Sequence, residues 1–240
     1  MHPITYAIGD IHGCRLELER LLGAIDAHAA GRSRALVFLG DYIDKGPDSA
    51  GVLRTLMDMQ HREPAAVVCI KGNHDDLMVR AALGDVDAHD KWLTMDGGSV
   101  LAQYGVSKAT ALPRYIIDWV AALPTLWTDG LRYFVHAGLD PSRTLEDQPD
   151  GVRMTMRGDF LSRDIDFGRH VAHGHTPQFS GAPDLRPYRT NLDTGVVQTG
   201  ALTAVMFPPV VGPPSAIIAT RKLCVRIPIQ ARRHKTVKHP

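Results

Sequence analysis

Polar side chains that can bind metal ions directly follow three apolar runs of the sequence. The runs cover residues 4–8, 36–39 and 66–70, and the stretches after them read Gly9-Asp10-Ile11-His12-Gly13, Gly40-Asp41-Tyr42-Ile43-Asp44 and Gly72-Asn73-His74-Asp75. An apolar run of this length is typical of a buried strand. Open α/β sheets bind their ligands at the edge where such strands end. Three loops of one design therefore predict one shared site.

Two later stretches add histidines to this set. They follow predicted strands at 131–135 and 170–172 and read His136-Ala137-Gly138 and His173-Gly174-His175-Thr176-Pro177. Aspartate, asparagine and histidine together suit Mn²⁺, Fe or Zn²⁺. Two cations fit better than one, because a carboxylate such as Asp41 can bridge cations about 3.5–4 Å apart and such a pair activates water against phosphorus. One such loop alone is more typical of an ordinary turn, but five in order favour a metal site.

The elements between the first three loops alternate strand and helix. Apolar residues three and four positions apart predict a helix over 15–29, and Ser49 is expected to cap a second helix. Asp10, Asp41 and Asn73 are 31 and 32 residues apart, which is the length of one strand-helix-strand unit. Right-handed crossovers would make the three strands parallel and bring their loops to one edge.

The rest of the chain is less regular. Residues 75–124 are mainly helical and are interpreted as an insertion that covers the site and shapes specificity. Residues 140–169 are rich in loops, with one short helix expected around 154–162. The end of the domain alternates and turns like an antiparallel meander, with predicted strands at 188–192, 195–199, 202–207 and 216–219.

Length and composition indicate one domain, taken here as residues 1–207, followed by a proline-rich, basic tail over 208–240. Of the 240 residues, 44% are hydrophobic and 22% are charged, as in ordinary globular proteins. No apolar run approaches the roughly 20 residues of a membrane span, and the sequence begins without a signal-peptide pattern. The three cysteines are unpatterned, which predicts reduced thiols and a cytoplasmic protein.

The net charge of +1 conceals an uneven distribution. Asp193 is the last acidic residue and seven of the 27 lysines and arginines lie beyond it, so residues 1–193 carry a net charge of −6. An acidic body binds phosphate esters poorly unless cations occupy some of its carboxylates. The basic tail is interpreted as solvated or docked on this body, in preference to a nucleic-acid-binding arm.

In this order the five motifs resemble the signature of calcineurin-like metallophosphoesterases, and within that superfamily the phosphoprotein phosphatase branch of bacterial and bacteriophage lambda type. The resemblance covers residues 6–207. It implies an α/β fold in which a central β-sandwich of mixed sheets is flanked by helices, in four layers α/β/β/α. It also implies two divalent cations, with Mn²⁺ expected and Fe or Zn²⁺ as alternatives.

The resemblance also implies a role for each site residue. The first cation would be held by Asp10, His12 and Asp41. The second would be held by Asp41, Asn73, His136 and His175. His74 would be the general acid, and Asp44 would orient its imidazole. Asn73, Lys45 and Arg157 would contact the phosphoryl group, and the turn Asn191-Leu192-Asp193-Thr194-Gly195 would be structural.

Two departures from the family pattern bear on the substrate. Lys45 stands where relatives usually have arginine, so the bidentate grip on a phosphoryl group is lost. Pro177 stands where many nucleases of the superfamily have a ligating histidine, which favours the phosphatase branch. Gly174, between His173 and His175, is expected to end the strand and to turn His173 away from the metals, so His173 is expected to be a packed histidine rather than a ligand.

These features favour a serine/threonine, or dual-specificity, phosphoprotein phosphatase that uses a metal-activated hydroxide. The alternative is a hydrolase of dinucleoside polyphosphates such as diadenosine tetraphosphate, a group that shares the opening Gly-Asp-x-His-Gly-Cys seen here through Cys14. The presence of Asp44 favours phosphate monoesters as the substrate. A non-catalytic binding module is the third hypothesis. Such a module would be expected to lack one of the metal-ligating residues.

The expected partner is a phosphorylated protein or a small phosphoester or nucleotide, and not a membrane or nucleic acid. The oligomeric state stays open.

Overall fold

Two five-stranded mixed sheets form the centre of the fold in a computed structural model that describes residues 3–221. The strands are β1 (Ile4–Ile8), β2 (Arg34–Phe38), β3 (Val67–Cys69), β4 (Leu126–Thr128), β5 (Arg132–Val135), β6 (His170–His173), β7 (Asp184–Leu185), β8 (Arg189–Asn191), β9 (Thr203–Phe207) and β10 (Ala216–Ala219). The first sheet has the order β10-β9-β1-β2-β3 and the second the order β4-β5-β6-β8-β7. The predicted α/β class, with two mixed sheets flanked by helices, is confirmed.

Helices cover the outer faces of both sheets. They are α1 (Arg15–Ala29), α2 (Ser49–Arg62), α3 (Asn73–Ala82), α4 (Val86–Thr94), α5 (Gly97–Gln103), α6 (Arg114–Ala121), α7 (Asp150–Thr155), α8 (Asp159–Ser162) and α9 (Val196–Thr199), with a 3₁₀ turn at Ala109–Ala111. The helix predicted over 15–29 is confirmed as α1. The predicted cap of α2 is wrong by one residue, because Asp48 accepts the Gly51 N–H at 2.8 Å. Ser49 Oγ instead accepts the Asp44 N–H at 3.0 Å.

The central strands of the first sheet are parallel, as the spacing of the loops predicts. In β1, β2 and β3 the residues Ile8, Phe38 and Cys69 lie side by side in the hydrogen-bonded register. The loops that follow these strands therefore leave the sheet at one edge. In the second sheet β5, β6 and β8 are also parallel, so the loops after β5 and β6 emerge together as well.

Alternation along the strands divides the core into layers. On β1, Tyr6 and Ile8 face the helices, whereas Ala7 faces the second sheet and packs in a cluster with Val37 and Phe134. Such alternation is the period of two that a strand imposes. On the far side of the second sheet, a smaller cluster packs beneath α8. The order of layers is helices, sheet, sheet and helices.

Three predictions from the sequence are corrected here. The segment 195–199 is the helix α9 and not a strand, because glycines at both ends adopt the left-handed conformation and Thr199 Oγ1 bonds back to the first turn. The predicted strand at 188–192 exists as β8, but it lies in the second sheet and runs parallel to β6. The single helix expected around 154–162 is two helices, α7 and α8, because Gly158 between them has a φ of +48°.

The end of the domain extends further than the predicted boundary at residue 207. Strand β10 lies within the segment 208–240 predicted as a tail, yet it pairs antiparallel with β9. The pairing matches the last turn of the predicted meander. The remainder of that tail, residues 222–240, lies outside the described residues. Over the described range, no helix combines the length and the hydropathy needed to cross a membrane.

A buried histidine far from the loops should make stability depend on pH. Burial lowers the pKa of His170 to about 4 from its usual 6.5, and the ring lies 2.8 Å from Thr190 Oγ1. Between these two values the unfolded chain binds a proton that the folded chain does not, so stability is lost as the pH falls. We expect His170 to account for a loss of about 2 kcal/mol in the free energy of unfolding between pH 7 and pH 5.

Denaturant unfolding at the two pH values measures this contribution as a difference between proteins. His170→Gln should show a smaller loss than the parent, whereas His61→Gln, at an exposed position of α2, should match the parent. Equal losses in all three proteins would contradict the assignment.

Candidate active site

The loop edge of the two sheets encloses a cleft of about 410 Å³. Seven of the ten side chains predicted for the site line it, namely His12, Asp41, Lys45, Asn73, His74, Arg157 and His175. The other three, Asp10, Asp44 and His136, are buried behind them. Residues separated by up to 165 positions in the chain are thus brought together, since His175 N–H donates to the Asp10 carboxylate.

Asp41 lies between two clusters of ligand atoms. One cluster is His12, Asp41 and His74, the other is Asp41, His136 and His175, and within each the ligand atoms lie within 4.8 Å of one another. Asp41 Oδ2 is 3.5 Å from His12 Nε2, and Oδ1 is 3.4 Å from His136 Nε2. The two carboxylate oxygens therefore point to different clusters, which is the arrangement of a bridging ligand.

Backbone carbonyls set the tautomers of two of these histidines. His12 Nδ1 lies 2.8 Å from the Ile43 carbonyl, and His136 Nδ1 lies 2.8 Å from the Leu39 carbonyl. A carbonyl only accepts, so Nδ1 carries the proton in both rings and Nε2 faces the site. Such a second hydrogen bond is the usual support of a metal-bound histidine. Asn73 Oδ1, 3.0 Å from His136 Nε2, adds an oxygen on the same side.

The ionisable groups of the cleft have pKa values shifted in both directions. Burial lowers the pKa of His12 and of His175 to about 3, which leaves both rings neutral. Burial and the neighbouring Asp193 raise the pKa of Asp10 well above its usual value. Burial alone would also raise the pKa of Asp41, but the adjacent histidines hold it well below normal. Burial opposes a proton on His136, but the carboxylates of Asp41 and Asp10 outweigh it and raise the pKa of that ring to about 10. Divalent cations held by these residues would displace the protons of Asp10 and His136, because metal ligands bind in their deprotonated form.

One placement differs from the resemblance. The first cluster contains His74, whose Nε2 is 3.9 Å from Asp41 Oδ2, where the family pattern would have Asp10. Asp10 accepts the His175 N–H through both oxygens, at 3.1 and 3.2 Å. Gly174 allows this approach, because a Cβ at that position would lie 2.0 Å from Asp10 Oδ1. Asp10 therefore also anchors the loop that carries His175.

The loops carry their side chains on a strained backbone. Among residues 3–221, seven residues other than glycine have a positive φ, and five of these are His12, Asp41, Asp44, Lys45 and His175. A left-handed conformation at such a residue costs of order 1–3 kcal/mol and persists only when its surroundings enforce it. The sharp turns direct the side chains back over the strand ends.

Asp75 stabilises the strained loops through hydrogen bonds to their backbone. Its carboxylate accepts the N–H groups of Asp41 at 2.8 Å, Tyr42 at 3.1 Å and Gly72 at 2.9 Å. The side chain is fully buried, and burial together with the nearby Asp41 raises its pKa to about 7. From the sequence alone, a carboxylate at the start of a helix could equally offset the helix dipole. Its contacts show that it ties the loop after β2 to the start of α3.

Asp75→Asn is expected to destabilise the protein by about 2 kcal/mol, because an amide group offers fewer acceptors to three buried donors. The substitution also removes a buried carboxylate charge, which is costly to bury, so the decrease in the free energy of unfolding is not larger. Denaturant unfolding in the presence of a chelator measures it without any contribution from metal. Asp76→Asn, at the next position of α3, is the control, and an equal effect of both substitutions would contradict this role of Asp75.

His74 and Asp44 form a buried pair. His74 Nδ1 lies 2.5 Å from Asp44 Oδ2, and the Trp92 indole N–H donates to the same carboxylate at 3.1 Å. Burial opposes a proton on His74, but the carboxylates of Asp41 and Asp44 outweigh it and raise the pKa of the ring. The ring is thereby held with Nδ1 on Asp44 and Nε2 toward the cleft.

Two cationic side chains stand at the mouth of the cleft. Arg157 lies on the turn between α7 and α8, and its Nε is 3.3 Å from His175 Nε2. Lys45 Nζ is 2.9 Å from His12 Nε2. Both side chains are largely exposed and touch the outermost histidines, so they face any anion that enters.

The segment 75–124 was expected to cover the site, but sequence reasoning missed which of its residues contribute. Thr94, Met95 and Asp96 line the cleft, and Asp96 Oδ2 accepts the Lys45 N–H at 3.0 Å. The hydrogen bond of Trp92 to Asp44 was missed as well; the available signal was that a buried indole N–H needs an acceptor. The expectation for His173 agrees with the structure, since its ring is buried and packs edge-on against Phe160.

Residues 5–201 match the family of calcineurin-like phosphoesterases, and the chain belongs to that family. It is 30% identical to a symmetrical bis(5'-nucleosyl)-tetraphosphatase of Janthinobacterium sp. (strain Marseille), over 84% of this chain and 92% of that protein. It is 27% identical to the asymmetrical bis(5'-nucleosyl)-tetraphosphatase PrpE of Anoxybacillus flavithermus, over 84% and 89%. A crystal structure provisionally assigned as a diadenosine tetraphosphatase superimposes with a TM-score of 0.68 at 25% identity, covering 91% of this chain and 93% of the other.

These similarities correct the preferred substrate. The preference for phosphoproteins is wrong, because the similar proteins are named for the hydrolysis of dinucleoside tetraphosphates. The membership of the metallophosphoesterase family, and with it a requirement for divalent metal ions, stands. The Asp44–His74 pair misled the inference, since a proton donor can serve an ester or an anhydride oxygen equally well.

Proposed function

We propose that the protein hydrolyses dinucleoside polyphosphates, with diadenosine tetraphosphate as the reference substrate. The observation that supports this most is the similarity to a symmetrical bis(5'-nucleosyl)-tetraphosphatase along 84% of this chain and 92% of that protein. The cleft adds ligand clusters suited to two cations and exposed basic side chains beside them. A polyphosphate bridge is strongly anionic and needs such charges.

Two sets of residues are proposed as ligands of the two cations. Asp10, His12 and Asp41 would hold one cation, and Asp41, Asn73, His136 and His175 would hold the other. When bound, the cations supply an activated water and neutralise charge on the phosphoryl oxygens. Mn²⁺ is the proposed metal, because the mixed oxygen and imidazole set suits it, and Fe or Zn²⁺ are the alternatives.

The remaining side chains act on the polyphosphate itself. Lys45, Arg157 and the Asn73 amide orient the phosphoryl group and offset the charge that develops on it. One P–O bond of the anhydride bridge breaks as the water oxygen joins phosphorus. His74 donates the Nε2 proton to the leaving oxygen, and Asp44 keeps the imidazole aimed and favours its charged form.

The test is product analysis with protein loaded with Mn²⁺. Incubation with diadenosine tetraphosphate should release ADP alone if the central bridge is cut, or AMP with ATP if cleavage is off-centre. A phosphoserine peptide at the same concentration should be turned over at least about 100-fold more slowly, a difference of roughly 3 kcal/mol in transition-state stabilisation. Comparable turnover of the peptide, or an intact dinucleotide, would contradict the proposal.

A further inference from the structure

The carboxylate of Asp44 is held by two side chains. His74 Nδ1 lies 2.5 Å from its Oδ2, and the indole N–H of Trp92 donates to Oδ1 and Oδ2, both at 3.1 Å. Asp44 and Trp92 both have 0% of their surface exposed. The indole is therefore a partner of the pair from outside the cleft, on α4 of the segment 75–124.

The position of the indole is itself fixed by packing. Trp92 belongs to the main hydrophobic cluster, and a Cβ added at Gly97 would lie 2.5 Å from its ring. The first residue of α5 thus has to be glycine for the ring to lie where it does. A large ring with two rotatable bonds, packed on all sides, loses little freedom when it donates its hydrogen bond.

The same turn between α4 and α5 also holds the residue after Asp44. Asp96 Oδ2 accepts the Lys45 N–H at 3.0 Å, and Asp44, Lys45 and Asp96 all have left-handed backbones, with φ values of 69°, 64° and 80°. Ser49 Oγ accepts the Asp44 N–H from the other side. Neighbouring elements therefore hold the strained residues Asp44 and Lys45 by hydrogen bonds to their backbone and to the Asp44 side chain.

We propose that Trp92 is a positioning residue for the proton donor. Its indole N–H holds the Asp44 carboxylate in the orientation that receives His74 Nδ1, and so keeps His74 Nε2 facing the cleft. This inference rests on the proposed role of His74. An indole only donates, so it orients the carboxylate and takes no proton itself. Because Trp92 does not line the cleft, it should influence turnover and leave substrate binding unchanged.

Steady-state kinetics with diadenosine tetraphosphate test the proposal. Trp92→Phe should lower kcat by about 10-fold, in the range that loss of a supporting hydrogen bond costs at a reactive centre, with KM unchanged. Trp119→Phe is the matched control, because its indole N–H also donates to a side chain, Gln60 Oε1 at 2.8 Å, away from the cleft. In an Asp44→Asn background, Trp92→Phe should cause no further loss of kcat.

Nuclear magnetic resonance tests the contact without any turnover. The sequence has three tryptophans, so the indole N–H signal of Trp92 is assigned by its absence in Trp92→Phe. Asp44→Asn should shift that signal and leave the Trp119 signal in place. An unmoved Trp92 signal, equal kcat losses in the two tryptophan variants, or additive losses with Asp44→Asn would each overturn the proposal. If diadenosine tetraphosphate is not cleaved at all, the proposed function fails while the resonance measurement still decides the role of Trp92.

Discussion

Asp41→Asn is expected to lower turnover by about 10³-fold or more, since the charge of the bridging ligand contributes several kcal/mol to the metal centre. The expected cause is the loss of at least one of the two cations. Asparagine is the suitable substitution, because it tolerates the left-handed backbone of this position, φ 53°. In the parent protein Asp41 Oδ1 accepts the backbone N–H of His74 at 3.0 Å. The side-chain oxygen of asparagine can accept the same hydrogen bond.

Metal analysis and turnover should be measured on the same preparations of this variant. Asp58→Asn, on the exposed face of α2, removes an equal charge and should change neither quantity. Full metal content in Asp41→Asn together with parental turnover would exclude Asp41 as the shared ligand. Melting temperatures of the metal-free proteins show whether the substitution harms the fold.

His74→Asn is expected to lower turnover by roughly 10²–10⁴, the range for loss of a general acid, while the metal content stays at the parental level. The physical reason is that the leaving oxygen then departs without a proton. His61→Asn, an exposed position of α2, is the control for a change of histidine count. Metal analysis decides between two roles, because His74 Nε2 is only 3.9 Å from Asp41 Oδ2.

A fall in metal content in His74→Asn would make this histidine a ligand, with Asp10 confined to anchoring the loop of His175. The charged form of His74, favoured by two carboxylates that raise its pKa, would then not be the working form. Preserved metal with lowered turnover keeps His74 as the proton donor. Preserved turnover would remove it from the mechanism.

The candidate metal ligands of the site could be predicted because each lies in a loop that follows a strand. Asp10, Asp41 and Asn73 repeat at the length of a strand-helix-strand unit, and parallel strands in register deliver all three loops to one edge. The apolar runs of β1 and β2 are strong local signals. Their parallel pairing then follows from the handedness of the crossovers.

The supporting contacts could not be predicted, because they depend on three-dimensional packing. Trp92 meets Asp44 across 48 positions of the chain, through a segment whose helical pattern carries no motif. Aspartate is a common residue near the start of a helix. Only the structure shows that the buried carboxylate of Asp75 accepts three backbone N–H groups. The segment 195–199 has a short apolar pair between glycines, a pattern that periodicity alone assigns to strand or helix equally.

The substrate was misjudged for a different reason. In the proposed mechanism the ligand clusters around Asp41 and the His74–Asp44 pair would act on a phosphoryl group and its leaving oxygen. Neither contact would distinguish a phosphoserine from a polyphosphate. Fold and catalytic centre are shared across such activities. We expect specificity to depend on what lies around the cleft, including Thr94, Met95 and Asp96 from the segment 75–124.

The shared carboxylate of Asp41 is the centre of this account, and anomalous diffraction from a crystal soaked in Mn²⁺ tests it most directly. We predict two manganese peaks about 3.5–4 Å apart, one beside each oxygen of Asp41, with His12 near one and His136 near the other. A single peak, or two peaks that Asp41 does not join, would contradict the account.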